Sequence, residues 1–301
     1  MILNDRKYEK LDEIPSGRAS KTITKGCLVL EGGAFRGLYS QGVMDALMKN
    51  NINFECTIGV SAGAMGGMNY VSGQIGRSAR INLEFRHDQD YIGAIALLHS
   101  RSPLNLDFAI RKNEKLEPFD ETAFYNPTRR FVAVVTDCTT GNPIYCEKGH
   151  CRDIFEAVKA SASMPFVSPM VDVDGIPCLD GGCSCKIPYR WAIDSRYENI
   201  VVVKTRERGF RKDPAVKNTA RLFYRDNPEF ALKLDESNAD YDQQCDEIDE
   251  LEKQGRLFVI APSEPVTVGR VEGDMNKLGD LYWLGYNDAT RNLFSLNKYL
   301  K

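Results

Sequence analysis

The stretch TIGVSAGAMGG, residues 57–67, places Ser61 between two glycines at the end of an apolar run. The residues before it, FECTIGV, are apolar and β-branched enough for a buried strand, and the small residues after it favour a closely packed helix. Ser61 is therefore predicted at a strand-to-helix junction. In a nucleophile elbow the serine occupies a strained turn, where a side chain at Gly59 or Gly63 would collide with the neighbouring turn. A tight turn with an idle serine is the alternative interpretation.

Strands and helices alternate on both sides of this stretch. Upstream, GCLVLEGG predicts a strand that ends in glycines, and LYSQGVMDALMKN has apolar residues at helical spacing. Downstream, the strand patterns are RFVAVVTDC, PIYC, the hairpin-like MVDVDGIPCLDGG with Asp174-Gly175 at its turn, and NIVVVKT. A helix is predicted over DIFEAVKASAS, and residues 77–109 carry few strand signals and are expected to be largely helical. This order predicts an α/β fold of three layers around a mostly parallel central sheet.

The composition divides the chain into three segments. Residues 1–24 form a polar N-terminal tail, residues 25–205 the α/β domain, and residues 206–301 a charged helical segment that contains one more strand pattern, RLFVIAP. We expect the last segment to pack on the α/β domain. A chain of 301 residues with 43% hydrophobic content is long enough to bury a sizeable core as one such unit.

Charge and cysteine usage limit the partners and the compartment. The formal net charge is −3, and the absence of a basic excess argues against nucleic acid or an anionic surface as an electrostatic partner. The nine cysteines are an odd, scattered set that suits reduced thiols better than a disulfide framework. The N-terminus has no apolar signal core, and no window is long enough to span a bilayer. We therefore expect a cytoplasmic protein.

A serine hydroxyl needs a base to become a nucleophile. The three histidines, His87, His99 and His150, all precede the position that the α/β-hydrolase order requires, and each is expected to be structural or exposed. Asp180 in CLDGG is the better candidate, because Gly181 and Gly182 would let a strand end turn its carboxylate into a site. An Asp-Gly-Gly sequence alone is usually a turn.

The segment EGGAFRG could supply hydrogen-bond donors to an oxyanion. Gly32, Gly33 and Gly37 leave the backbone free of Cβ atoms at a strand end, and the following helix directs its N-terminus at the loop. Such a loop could also cradle phosphate, but the glycine spacing is not the dinucleotide fingerprint and no Walker lysine follows. Arg36 could orient the loop, meet a substrate phosphate or lie on the surface.

The cysteines of CEKGHC and CLDGGCSC, together with His150, could in principle bind zinc. No Cys-x-x-Cys pair occurs among them, so we expect idle or buried thiols, no metal ion and no other cofactor.

Taken together, the segments LVLEGGAFRGLYSQGVMDAL, GVSAG and LDGG resemble the patatin-like phospholipases in order and approximate spacing. ASASMPF, residues 160–166, is similar to that family's turn before the strand that leads to the aspartate. The resemblance covers roughly residues 26–204 and is greatest to bacterial cytoplasmic members with a C-terminal helical extension.

The resemblance implies a Ser-Asp dyad without histidine, with Ser61 as nucleophile and Asp180 as base. It also implies an oxyanion hole from the loop of Gly32, Gly33, Ala34, Arg36 and Gly37. Two positions depart from the family pattern. Ala34 stands where a third consecutive glycine is usual, and Lys186 stands where a polar residue often follows the Asp-Gly-Gly sequence.

The expected function is that of a serine acyl hydrolase, which cleaves carboxylic esters of lipids through an acyl-serine intermediate. An esterase or thioesterase for small soluble substrates would use the same residues, and a non-catalytic lipid- or acyl-binding protein would use the same pocket. The expected partner is a lipid or acyl-ester substrate and not a nucleic acid. Transient contact with a membrane surface and the oligomeric state are left open.

Overall fold

The structure is a computed structural model that describes residues 7–100, 104–105, 107–108, 118–213 and 219–301. Residues 101–103, 106 and 109 of the stretch predicted as helical lie outside these ranges. The strands are β1 (Gly17–Arg18), β2 (Thr24–Leu30), β3 (Phe54–Val60), β4 (Gln74–Ile75), β5 (Arg130–Asp137), β6 (Pro143–Glu147), β7 (Val171–Val173), β8 (Ile176–Asp180), β9 (Ile200–Val203) and β10 (Phe258–Ile260). The helices are α1 (Gly37–Lys49), α2 (Ala62–Val71), α3 (Arg77–Phe85), α4 (Ala94–Ser100), α5 (Glu121–Phe124), α6 (Ile154–Ser161), α7 (Tyr189–Asp194), α8 (Thr219–Phe223), α9 (Pro228–Lys253) and α10 (Met275–Tyr299).

Eight of the described strands form one sheet. Its parallel part runs β10-β9-β2-β3-β5, and β6, β8 and β7 add antiparallel pairings at the β5 end. The hairpin of β7 and β8 turns at Asp174 and Gly175, which both have positive φ angles. The prediction of a mostly parallel central sheet is confirmed.

The two edges of β5 explain how the sheet assembles a site. Val134 is paired with both β3 and β6, whereas Val135 is paired with both β6 and β8. Two strands that pair with the same residue must lie on opposite edges, so β3 and β8 share one edge of β5. Val60, the last residue of β3, pairs with Val134, and Asp180, the last residue of β8, pairs with Val135. The two strand ends therefore meet, which brings Asp180 to Ser61.

Successive side chains of β2 point to opposite faces of the sheet, as in any strand, and each face is covered by a layer of helices. Leu28 and Leu30 of β2 point into a core shared with α1 and α10, and Cys27 and Val29 point into a core shared with α7 and α9. Helices α2 and α6 pack on the sheet through a third cluster that contains Phe131. The predicted three-layer architecture is confirmed.

Part of the segment predicted as a polar tail packs against the domain. Tyr8 and Ile14 are both buried in the core that holds α1 and α10, and β1 pairs with β4. The ring of Tyr8 lies so close to Gly279 of α10 that a Cβ there would be 2.1 Å from a ring carbon. The hydrophobic residues of this segment are scattered and form no pattern that predicts burial. Tyr8 is buried because α10, near the other end of the chain, packs against it.

The segment after residue 205 contributes to both the sheet and a helical layer. Strand β10 adds to the sheet edge beside β9, and α10 crosses α1 with their backbones in contact. A Cβ on Gly42 would lie 2.0 Å from the Tyr282 carbonyl oxygen, and one on Gly285 would lie 2.0 Å from that of Tyr39. The two helices can approach this closely because both positions are glycine.

Candidate active site

Ser61 lies in a strained turn between β3 and α2. Its φ and ψ angles are 55° and −122°, a conformation that costs a residue with a side chain about 1–3 kcal/mol. The turn leaves no room at the flanking glycines: a Cβ on Gly59 would lie 2.5 Å from the Gly63 carbonyl, and one on Gly63 would lie 2.6 Å from the Leu30 oxygen. This geometry is that of a nucleophile elbow.

A serine from the ASAS sequence holds the elbow in place. The backbone N–H of Ser61 donates to Oγ of Ser161 at 2.8 Å, and Ser161 in turn donates to the carbonyl oxygen of Val134 at 2.6 Å. Sequence reasoning noticed the motif through the family resemblance but assigned Ser161 no role. Only the folded contact between α6 and the β3–α2 turn identifies that role.

The hydroxyl of Ser61 donates a hydrogen bond of 2.8 Å to Oδ2 of Asp180. Oδ1 of the same carboxylate accepts from the N–H of Gly182 at 2.7 Å, so both oxygens are held. Gly181 lies against β5, where a Cβ would be 2.2 Å from the Val134 oxygen. The sequence-predicted pair is therefore brought together, with its glycines at the turn.

Burial controls the protonation of Asp180. Loss of solvent raises the pKa of its carboxyl above the ordinary value, and the hydrogen bonds from Gly182 and Ser61 and the charge of Lys186 act in the opposite direction. A carboxylate with a raised pKa is a stronger base, so this arrangement can take a proton from the serine hydroxyl.

The described histidine side chains lie elsewhere. His87 is 2.9 Å from the carbonyl oxygen of Gly273, and His150 is largely exposed beside Glu147. Neither is hydrogen-bonded to the serine or the aspartate, and the side chain of His99 lies outside the described residues. All nine cysteines are free thiols. Within the described ranges, no cluster of three or more His, Cys, Asp or Glu residues could hold a metal ion.

The loop from β2 to α1 lies directly against the elbow. A Cβ on Gly32 would be 3.0 Å from the Val60 oxygen and 3.1 Å from Cβ of Ser61. The N–H groups of Gly32, Gly33 and Ala34 have no acceptor in the part of the chain that the structure describes, so they are free to stabilise an oxyanion. Ala34 has a φ of 50°, the left-handed region that a glycine would adopt without strain.

Thr205, two residues after the end of β9, braces this loop. The N–H of Thr205 donates to the carboxylate of Glu31, and its hydroxyl donates to the Gly32 oxygen at 3.1 Å. Sequence reasoning missed both contacts, because they join positions more than 170 residues apart. Gly37 begins α1, and a Cβ there would be 2.8 Å from that of Ala62.

Two cavities meet at Ser61. The first is a narrow apolar cavity of about 130 Å³, whose walls include Met65, Met68 and Ile81. The second is an open cleft of about 830 Å³ that also contains Asp180. Arg36 is buried in the cleft wall, so the interpretation of it as a surface arginine is wrong.

The chain matches two family models and is similar to two known proteins. A family model described as Patatin-like phospholipase matches residues 28–193, more than half of the chain, and a model described as Domain of unknown function (DUF6363) matches residues 227–301. The protein YjjU of Escherichia coli (strain K12), described as uncharacterized, is 26% identical over 185 residues, which cover 59% of this chain and 51% of YjjU. The chain thus spans about half the length of that relative. The crystal structure of VipD from Legionella pneumophila aligns with a TM-score of 0.49 and 15% identity, over 93% of this chain and 68% of VipD.

Proposed function

The chain belongs to the patatin-like phospholipase family, and on that premise we propose that it is a serine acyl hydrolase that cleaves carboxylic ester bonds of lipids. One observation carries the proposal: the hydroxyl of a strained elbow serine, Ser61, donates at 2.8 Å to the buried carboxylate of Asp180. A serine that served only in a tight turn would not need a base held by a second hydrogen bond from Gly182.

The proposed reaction follows from these positions. Oγ of Ser61 attacks the ester carbonyl carbon while its proton moves to Oδ2 of Asp180, and the N–H groups of the Gly32–Ala34 loop receive the oxyanion. The tetrahedral intermediate expels the alcohol, which takes the proton from Asp180 and leaves an acyl-serine. Water then gives a proton to Asp180 as it attacks the acyl group, and the fatty acid leaves as the proton returns to Ser61.

A lipid is the proposed substrate because apolar surface continues from the cavity to the outside. Four exposed apolar residues lie in or beside the cleft and are here called the apolar rim: Phe166, Val167 and Val271, which line it, and Phe223, which contacts Phe166. The rings of Phe166 and Phe223 are in edge-to-face contact at 5.1 Å. We propose that the rim rests transiently on a lipid surface during catalysis. Among the described residues, no helix is both long and apolar enough to cross a bilayer.

A fluorophosphonate probe and a substrate panel test the proposal. The wild type should be labelled at Ser61, and the Ser61→Ala variant, which keeps the fold because the elbow accepts a small side chain, should be neither labelled nor active. The panel compares a phospholipid, a lysophospholipid, an acyl thioester and a short-chain ester. Absence of labelling in a folded wild type would favour a binding protein. Turnover confined to the soluble substrates would favour the small-molecule esterase or thioesterase.

A further inference from the structure

The cleft beside Ser61 is lined by six cationic side chains, although the whole chain is acidic. They are Arg36, Lys186, Arg206, Arg211, Lys212 and Arg270. Four of them follow residue 205, outside the segment 28–193 that the family model matches. The cleft therefore owes most of its charge to the C-terminal part of this chain.

Five of these cations have no carboxylate partner among the described residues. Arg211 forms ion pairs with Asp246 and Asp249, but none of the other five does so with any carboxylate in the described part of the chain. The contacts that Lys186 and Arg206 do make are with carbonyl oxygens, those of Ser237 and Val266. Carbonyl groups orient a cation but leave its charge uncompensated.

Two of these arginines also have buried N–H groups that lack a hydrogen-bond acceptor among the described residues. Nε of Arg36 and Nε of Arg206 are buried without an acceptor among the described residues. The side chain of Arg36 is only 9% exposed, so its guanidinium has little access to water as a substitute partner. A buried donor without an acceptor costs about 1–3 kcal/mol, which an incoming anion would offset.

The cations also act on one another across the cleft. Burial, and then the charges of Lys186, Arg270 and Arg36, lower the pKa of Lys212 to about 7. Burial and the charge of Arg206 lower the pKa of Arg36 to about 10. The walls also carry four carboxylates. These are Glu31, Asp180, Asp213 and Asp235, and the charge of Glu31 attracts both Arg36 and Lys212. Four carboxylates against six cations still leave the balance of charge in the cleft positive.

We propose that this cleft binds the phosphate head group of an anionic phospholipid while the acyl chain lies in the apolar cavity on the other side of Ser61. The inference rests on the proposed function and names its substrate class. Arg36, Lys212 and Arg270 surround the phosphate, and the ester carbonyl then lies at the junction of the two cavities, where the serine is. A zwitterionic head group carries an ammonium into the same cluster of cations, so it binds less well.

A binding experiment tests the head-group site without depending on catalysis. Isothermal titration of inorganic phosphate and of glycerol 3-phosphate into Ser61→Ala should show saturable binding that Lys212→Met weakens about tenfold. The methionine keeps the packing of the Lys212 chain on the Tyr241 ring, where Nζ lies 4.3 Å from the centroid, but removes the charge. Lys253→Met is the matched control, because it makes the same substitution at an exposed site outside the cleft.

A kinetic experiment identifies the source of the phosphate. The wild type should hydrolyse phosphatidylglycerol in mixed micelles about tenfold faster, in kcat/KM, than phosphatidylcholine, and Lys212→Met should lose most of this preference. Lys253→Met should keep both this preference and the wild-type rate on a neutral short-chain ester, and Lys212→Arg should restore the preference that Lys212→Met loses. Phosphate binding without a preference between the two lipids would overturn the assignment to a lipid head group.

The outcomes separate this inference from the proposed function. If no ester is hydrolysed and Ser61 is not labelled by a fluorophosphonate, the proposed function fails, and the titration still reports on the anion site. If Ser61 is labelled and esters are hydrolysed, but phosphate does not bind and the head-group charge has no effect, the inference alone fails.

Discussion

Oγ of Ser161 accepts a hydrogen bond of 2.8 Å from the backbone N–H of Ser61. The contact joins the last residue of α6 to the strained turn between β3 and α2, and the hydrogen bond from Ser161 to Val134 fixes that hydroxyl on the central sheet. The conformation of the elbow thus depends on a side chain 100 residues away from it in sequence.

We expect Ser161→Ala to destabilise the elbow and slow the reaction. The N–H of Ser61 would be left in the interior without an acceptor, which costs about 1–3 kcal/mol of the free energy of unfolding. Urea denaturation and the rate of a neutral ester measure the two effects. Ser163→Ala is the matched control, because among the described residues that hydroxyl donates to the Lys159 carbonyl of α6 and makes no contact with the elbow. An alanine at position 161 with wild-type stability and rate would contradict the bracing role.

Asp180→Asn should reduce kcat/KM about 100-fold or more, because an amide cannot take the serine proton. In the wild type, activity should rise with pH as Asp180 loses its proton. Burial raises the pKa of Asp180, so the pH at which activity reaches half its maximum should lie above 3.8, the ordinary pKa of the group. Replacing His87, His99 and His150 together should leave this rise of activity with pH unchanged. A folded triple-histidine variant without activity, beside a fully active Asp180→Asn, would refute the dyad.

The sequence predicted those parts of the site that are local in the chain. The elbow glycines, the Asp-Gly-Gly turn and the glycine loop each indicate a backbone conformation that is set within a few residues. Ser61 and Asp180 could therefore be named as candidate site residues from the sequence. Their meeting at 2.8 Å follows from β3 and β8 sharing one edge of β5. No local pattern encodes that register.

The parts that sequence reasoning missed are long-range contacts of ordinary residues. Thr205 braces the glycine loop from the segment after β9, and Tyr8 is buried against α10 although it lies in a polar segment. The cations of the cleft are scattered over more than 200 positions. The sequence does not distinguish an arginine on the surface from one that lines a cleft, because only the fold determines its burial. Arg36, which is buried, is an example.

We expect the apolar rim to matter only when the substrate is part of a surface. Phe223 is 66% exposed, so Phe223→Ser should change stability little but weaken vesicle binding and slow vesicle hydrolysis about tenfold, while a monomeric short-chain ester is hydrolysed as before. Phe294→Ser provides the control, since Phe294 is 84% exposed on α10 and lines neither cavity. Equal losses in both variants would show that general surface hydrophobicity, and not the rim, sets vesicle binding.

Asp45 should make stability depend on pH. Burial raises the pKa of its carboxyl to about 7, against an ordinary value of 3.8. Between those two values the folded protein holds a proton that the unfolded chain has released, so the free energy of unfolding falls as the pH rises through this window. Asp45→Asn should flatten that decline, which thermal denaturation over the same pH range would measure. If the free energy of unfolding declined as steeply with pH in the variant as in the wild type, a group other than Asp45 would be responsible.

Gly285→Ala should be among the most destabilising single-methyl changes in the chain. The new Cβ would lie 2.0 Å from the carbonyl oxygen of Tyr39, a backbone atom that cannot move aside without shifting α1 or α10. Overpacking of this kind costs about 1–3 kcal/mol. A shift would also stretch the hydrogen bonds of Tyr39 to Asp288 and of Tyr282 to Asp45, which clamp the two helices on either side of the contact.

The same substitution links the C-terminal helix to the site. Helix α1 begins directly after the loop that faces Ser61, so a displaced α1 should lower the temperature at which ester hydrolysis is lost together with the unfolding temperature. Gly209→Ala is the matched control, because a Cβ there meets no atom within 4 Å. Differential scanning calorimetry and residual activity after heating measure both effects. A Gly285→Ala protein that unfolds and inactivates at wild-type temperatures would mean that α10 does not dock on α1 through this glycine contact.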